Sequence, residues 1–475
     1  MDIDLKHKIT IKDILEVTKG ELLSEGTDIN TECKKINTNT NYVDNEDLYI
    51  GLIGEKTNGG LYFEQALEKG AIGAIIQDIE ITEKQLEKYN NRFIIKVEDS
   101  LKALQEIAKL KREKYKDVTI VAITGSVGKT STKDIIANVL SQKYKTLKTE
   151  GNFNNHIGLP STILRLNDEE VAVVEMGMNH FGEISVLTNI AKPNLCVITN
   201  IGTSHIGNLG SRENILKAKL EILEGNEEKE LVINNDNDIL HEYCVNQKDE
   251  KIVKGVHIYT YGINEKSQVY ATEIKKQEEN SKFICHTENS EFEVIVPVAG
   301  EHFIYNALCA VTVGKKLGLT DEQIKKGIET FELTKKRMDI DTLSNGIKII
   351  NDAYNASYES MKGAIENLSN YKNRKIAVLG DMFELGEYSE ELHRKVGNEI
   401  AKNNIDILLC TGENSKYIVE EAKKQGTRET YYFNNKEELL YKLKEIIKND
   451  DVILFKASNG MKFFDLAEQL KKEYN

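Results

Sequence analysis

The chain has 475 residues, 40% of them hydrophobic and 29% charged, and a formal net charge of −14. Such a length exceeds what one hydrophobic core usually serves, so two or three domains are expected. The acidic balance argues against a nucleic-acid partner, and no apolar run is long enough to span a bilayer. The start, MDIDLKHKITIKDIL, lacks the basic-then-apolar layout of a signal peptide, so a cytoplasmic protein without membrane insertion is expected. Cys33, Cys196, Cys244, Cys285, Cys309 and Cys410 are scattered with no C-x-x-C pair, which reads as buried free thiols.

Three stretches separate by pattern: residues 1–115, 116–334 and 335–475. The first mixes short β-rich runs, DLYIGL (47–52) and RFIIKV (92–97), with the helical EQALEKGAIGAII. SLKALQEIAKLKREKYKD (100–117) then reads as a helical bridge. In the second stretch VTIVAIT, VAVVEM, LCVITNIG and ELVIN alternate with helical segments, the signature of a parallel sheet covered by helices. In the third, KIAVLGDM, IDILLCTG and DVILFKAS are each followed by an amphipathic helix, which predicts a second doubly wound unit. The expected fold class is α/β throughout.

Residues 121–140, VAITGSVGKTSTKDIIANVL, run from a strand into a glycine-rich loop and on into a helix, as a phosphate-binding loop does. The general pattern G-x-x-x-x-G-K-[ST] asks for glycine at position 123, where Ile123 stands, so the loop is the shorter T-G-x-x-G-K-T. Gly125 and Gly128 let backbone N–H groups turn inward along Ser126, Val127 and Ser131, and the helix beginning near Lys129 points its positive end at a phosphate. Lys129 would neutralise phosphoryl oxygens and the Thr130 hydroxyl would ligate Mg²⁺. The plainer alternative is an ordinary glycine-rich turn. Glu175, ending VAVVE, is either a metal- or water-positioning acid at a strand tip or a solvated carboxylate. His205, after LCVITN, is either a ligand or a structural histidine. Lys217 and Lys219 lie on a helical stretch and read as solvated surface.

The segments TGSVGKTST, EGNFNNHIGLPSTIL, VVEMGMNHFGEI, ITNIGTSHIGNLGSRENILKAKLEIL, GEHFIYNALCA, NDAYNASYESM and VLGDMFELGEYSEELH, in this order, resemble the Mur ligases of peptidoglycan synthesis. T-G-x-x-G-K-T is that family's own loop. The resemblance implies an N-terminal domain holding a UDP-sugar end, a central ATPase domain, and a Rossmann-like C-terminal domain that closes over the nucleotide. It implies ATP-dependent amide formation through an acyl phosphate, joining D-alanyl-D-alanine to a UDP-N-acetylmuramoyl-tripeptide, with Mg²⁺ as cofactor. Lys129 and Thr130 carry over to phosphate and Mg²⁺, Glu175 and His205 to metal, and Lys219 to the lysine that is carbamylated in relatives and then binds metal. Asn306 falls on the adenine-contacting asparagine, Arg337 and Asp352 on C-terminal residues that reach ATP. Asn152, Asn154 and Asn155 match a central loop near the substrate, and Asn355 matches a position near the dipeptide.

Three departures stand out. INTNTN (36–41) replaces a D-S-R in the N-terminal domain, KASNGM (456–461) replaces a K-G-S-R-like ending with Ser458 and Asn459, and NASYES (355–360) lacks the proline that usually follows N-A-N. The alternatives are a sister ligase adding the third amino acid, a folylpolyglutamate-type synthase, a nucleotide-binding scaffold without turnover, and a kinase or GTPase-like switch. The absence of D-N-P-[RA] counts against the first. Nothing in the chain asks for more than a monomer.

Overall fold

The computed structural model describes residues 8–24, 28–246, 255–264, 266–333 and 337–474. The expected boundary between Thr334 and Lys335, and the first seven residues of the start, lie outside the described residues. The chain builds three sheets.

The N-terminal sheet runs Glu21–Leu22, Phe93–Lys96, Gly73–Ile76, Leu48–Ile50, Ile36–Asn37, parallel except for the antiparallel edge strand Glu21–Leu22. Alternate residues feed two cores: Leu48, Ile50, Ile75 and Ile95 on one face, Tyr49, Ala74, Ile76 and Ile94 on the other. A sheet covered on both faces has no polar side, and this is why its strands read as continuous apolar runs. The helix Ser100–Lys114 follows as the expected bridge, its Asp99 cap accepting from the Lys102 N–H.

The central sheet has nine strands, ordered Glu291–Val296, Ser281–His286, Val269–Lys276, His257–Gly262, Glu230–Asn234, Leu195–Ile198, Thr119–Thr124, Val171–Glu175, Thr146–Lys148. The expected parallel arrangement holds from Thr146–Lys148 to Val269–Lys276. Beyond it the last three strands form an antiparallel meander that the alternation of strands and helices did not anticipate. The cause is burial on one face only. Ser281–His286 alternates between buried and half-buried residues, whereas Val171–Glu175 is buried throughout. Hairpins suit a half-covered sheet, and crossover helices suit a fully covered one.

The C-terminal sheet runs Asp339–Thr342, Lys348–Asn351, Val452–Lys456, Lys375–Leu379, Ile407–Thr411, Glu429–Phe433, parallel apart from its first strand. Ile349, Ile376, Val378, Leu409 and Phe455 face the helices Lys436–Ile446 and Phe463–Tyr474. Their neighbours Ile350, Ala377, Leu379, Leu408 and Leu454 belong to one apolar core continuous with the central sheet, which also holds Met361, Ala364, Ile365 and Leu368 of the helix Tyr358–Ser369. That shared core holds the carboxyl ends of both parallel sheets toward one another, and a cavity of about 690 Å³ lies between them. All six cysteines are free; Cys196, Cys285, Cys309 and Cys410 are buried, Cys33 and Cys244 only partly so.

Candidate active site

The phosphate loop is built as its sequence demands. Gly128 sits at φ +81° as the residue before the helix Lys129–Leu140, a left-handed conformation that glycine adopts at no steric cost. Gly125 has φ +154°, and a Cβ there would meet Thr199 Oγ1 at 1.9 Å. The turn after Leu195–Ile198 braces the loop: Val127 N–H donates to Asn200 Oδ1 at 3.0 Å, and Thr199 Oγ1 donates to the Val127 carbonyl at 2.7 Å. Lys129 Nζ donates back to the Gly125 carbonyl at 2.8 Å. Burial pushes its pKa down, Glu175 opposes that shift, and Arg337 adds to it.

Thr130 is the hub of the site. Its hydroxyl donates to Glu175 Oε2 at 2.8 Å and accepts from Arg337 Nη2 at 3.0 Å, so a C-terminal guanidinium touches a phosphate-loop residue directly. Asn154 Nδ2 donates to the other oxygen, Glu175 Oε1, at 2.8 Å. Glu175 is 2% exposed, and its backbone N–H donates to Thr149 Oγ1. The guanidinium of Arg337 lies 4.1 Å from the ring centre of Tyr354. Asp352 is held by Lys456, whose Nζ lies 2.5 Å from Asp352 Oδ2 and donates to the carbonyls of Asp352 and Asn355 at 3.2 and 3.1 Å. Asn306 Oδ1 accepts from Thr132 Oγ1 at 3.0 Å.

The cavity wall takes in every candidate site residue named from the sequence except Gly125 and Lys219, and Lys217, read as surface, lies off it. Gly125 opens the loop, with Thr199 packed where its side chain would stand. The two lysines read as surface part company: Lys217 is exposed, whereas Lys219 is 2% exposed. Burial first, and then the charge of Lys129, push the Lys219 pKa well down. The surface reading of Lys219 is therefore corrected, because the helix Arg212–Leu220 turns this side chain inward with Ile215 and Ala218. His205 is half-buried at φ +64°, and its Nδ1 is bonded to the Glu384 carboxylate from the C-terminal sheet's side.

Thr130 and Glu175 offer two adjacent oxygen donors, a set that suits a hard divalent cation. Among the described residues no group of three or more His, Cys, Asp and Glu is arranged to hold a metal, and Glu175 and His205 both line the cavity. Two buried donors on the cavity wall, Asn306 Nδ2 and Arg337 Nε, have no partner among the described residues, as donors awaiting a ligand's acceptors would.

Sequence reasoning passed over Lys456, Glu384, Glu359 and His302, all of which line the cavity. Lys456 opens the KASNGM segment, and a lysine ending an apolar strand was the available signal. Ser458 accepts from the Phe383 N–H at 2.8 Å, and Asn459 begins a short turn beside it. In NASYES, Ser357 caps the helix Tyr358–Ser369 with Ser360 as its capping-box partner. Tyr358 takes the first helical position, where proline is favoured but not required, so the missing proline leaves the helix start intact. In INTNTN, Asn37 donates to the buried Asp47 and Asn39 caps the turn that follows.

A phosphate loop opening onto a cavity whose far wall is a second parallel sheet defines a three-domain α/β nucleotide enzyme. The Mur ligase middle domain model matches residues 123–314, and the model of the Mur ligase glutamate ligase domain matches residues 336–459. A UDP-N-acetylmuramoyl-tripeptide–D-alanyl-D-alanine ligase of Bacillus subtilis is 38% identical over 472 residues, 98% of each chain. A crystal structure of MurF from Acinetobacter baumannii superposes with a TM-score of 0.86 at 28% identity, covering 98% of this chain and 99% of that one. MurF ligase from Thermotoga maritima, solved in complex with ADP, gives 0.79 at 27% identity over 93% and 97%. The chain belongs to the Mur ligase family.

Proposed function

We propose that this chain is the ATP-dependent ligase that joins D-alanyl-D-alanine to UDP-N-acetylmuramoyl-tripeptide in cytoplasmic peptidoglycan precursor synthesis, acting as a monomer. The observation that carries this reading is the 3.0 Å bond from Arg337 to Thr130, which closes the C-terminal sheet onto the phosphate loop at a shared cavity. Residues 1–115 form the UDP-substrate domain, 116–334 the ATP domain and 335–475 the domain that brings the dipeptide. The N-terminal part exposes the large apolar side chains Tyr42, Ile53, Leu61 and Tyr62.

Joining a carboxylate to an amine needs a leaving group on the carboxylate. The tripeptide carboxylate takes the γ-phosphoryl of ATP and releases ADP. The dipeptide amine attacks the resulting acyl phosphate, and phosphate departs from the tetrahedral adduct. Positioning and positive charge do most of the work in such a transfer. Gly128 and the first turn of the helix Lys129–Leu140, Ser131 included, present their N–H groups to the phosphate, while the N–H groups of Ser126 and Val127 are bonded to Asn200 and hold the loop's shape, and Lys129 exchanges its loop carbonyl for a phosphoryl oxygen. Arg337 supplies the opposing cation, Asn306 contacts the base, and Asp352 is fixed by Lys456. Asn152, Asn154, Asn155 and Asn355 orient the two peptide substrates.

Thr130, Glu175, His205 and a carbamylated Lys219 are the residues that would hold Mg²⁺, which when bound would further neutralise phosphoryl charge. The lowered pKa of Lys219 favours the neutral amine that combines with CO₂, losing a proton to give a carbamate anion able to serve as a ligand. The reading is tested by phosphate release with UDP-muramoyl-tripeptide, offered D-Ala-D-Ala and then single amino acids. Release is expected with the dipeptide alone; release driven equally by a single amino acid overturns it.

A further inference from the structure

The turn that braces the phosphate loop is itself gripped from the other side of the cavity. Glu359, in the first turn of the helix Tyr358–Ser369, accepts from Thr203 N–H at 2.8 Å through Oε1 and from Thr203 Oγ1 at 3.0 Å through Oε2. The preceding residue, Gly202, donates its N–H to Ser126 Oγ at 2.9 Å, and Ser204 Oγ donates to the Ser126 carbonyl at 3.2 Å. One carboxylate of the C-terminal part is therefore two hydrogen bonds from the phosphate loop. The fit is tight: a Cβ at Gly202 would stand 2.6 Å from the Glu359 carboxyl carbon. Gly202 is not among the positive-φ glycines, so a side chain there meets a steric obstacle and no backbone one.

We propose that Glu359 is a positioning residue that locks the 200–204 turn, and through it Ser126, into the nucleotide-binding shape when the C-terminal sheet closes. Catalytic contact is not its role, since it acts through Thr203 and Gly202. The bidentate, charge-assisted grip makes the loop's shape depend on closure, and nucleotide affinity then reports on both.

The proposal rests on the phosphate-loop reading given above, and one experiment separates the two. Binding of a fluorescent ATP analogue and the ATP KM are measured for the wild-type chain, Glu359→Ala, Glu359→Gln, Gly202→Ala and the Gly202→Ala/Glu359→Ala pair, with melting curves alongside. Glu359→Ala is expected to raise both the dissociation constant and KM by about tenfold, the scale of a lost charge-assisted pair. Glu359→Gln, which keeps an acceptor for the Thr203 N–H, should recover most of that loss. Gly202→Ala should weaken binding by itself yet add little in the Glu359→Ala background, because the obstructing carboxylate has gone. Additive effects of the two substitutions overturn the proposal, and so does unchanged nucleotide binding in both Glu359→Ala and Gly202→Ala. Should Glu359→Ala not fold, Gly202→Ala and Glu359→Gln decide alone. A wild-type chain that binds no nucleotide overturns the loop reading instead.

Discussion

The central and C-terminal sheets face the same cavity, yet they deliver side chains to it by different means. On the central side the backbone does the placing: Gly125 and Gly128 shape the loop, and Lys129 bonds a carbonyl only four residues away. On the C-terminal side distant partners do it. Asp352 is held by Lys456, 104 residues on, and Arg337 reaches Thr130 across 207 positions. The first wall is thus built within the central sheet and takes its final shape from the grip of Glu359 on the turn that braces it, whereas the second exists only once the whole chain has folded and closed. Lesions in the first should remove chemistry, while lesions in the second should loosen the meeting of nucleotide and substrate.

The sharpest break in the comparison is Lys129→Ala. It removes the one loop cation without touching the fold, and loss of such an electrostatic partner costs on the order of 3 kcal/mol or more. Phosphate release should be abolished while the melting temperature is unchanged; near-normal ligation would mean the loop is misassigned. Close behind comes the pair on one helix. Lys219→Ala should be nearly inactive, with partial recovery from a short carboxylate in the buffer or from Lys219→Glu, whereas Lys217→Ala should match the wild-type rate. Equal, normal rates in both alanine variants would remove Lys219 from the site.

Arg337→Lys probes the second wall. A lysine cannot both donate to Thr130 and lie flat on Tyr354, so kcat/KM should fall about tenfold despite the retained charge. Initial rates at varied ATP would reveal it, and full activity would separate closure from this contact. The smallest effect concerns pH. Burial pushes His302 from 6.5 down to about 4, and it lowers His393, whose Nε2 accepts from Met382 N–H. A depressed folded pKa means that the unfolded chain binds more protons below pH 6.5. This share of stability is therefore complete above that value and lost as pH falls toward 4. Melting temperature should decline across that window, less steeply in His302→Gln, and an identical slope would contradict the buried neutral ring.

The same contrast governs what could be read from the chain beforehand. Residues 121–130 state their own geometry, because a glycine-rich strand-to-helix turn has few other uses. The parallel sheets announced themselves in runs such as VAVVE, buried at every position. The meander of Val269–Lys276, Ser281–His286 and Glu291–Val296 did not, since its half-covered strands carry weak alternation between polar turns. Lys219 was opaque for another reason: helical position says nothing about which face a neighbouring sheet covers, and Lys217 two residues earlier looks the same. Lys456 and Glu359 act through partners roughly a hundred or more residues distant, a distance at which local pattern is silent. Resemblance named Asp352 and Asn355, while the lysine that holds them emerged only with the fold.

The claim that both walls serve one ligation step is tested most directly by oxygen-18. UDP-muramoyl-tripeptide labelled in its reacting carboxylate is incubated with ATP and D-Ala-D-Ala, and the released phosphate is weighed by mass spectrometry. A carboxylate oxygen that attacks the γ-phosphorus and is later expelled by the amine must leave with the phosphate, so one label per phosphate is expected, matched by one amide formed. Unlabelled phosphate, produced by attack of water on ATP, would contradict it.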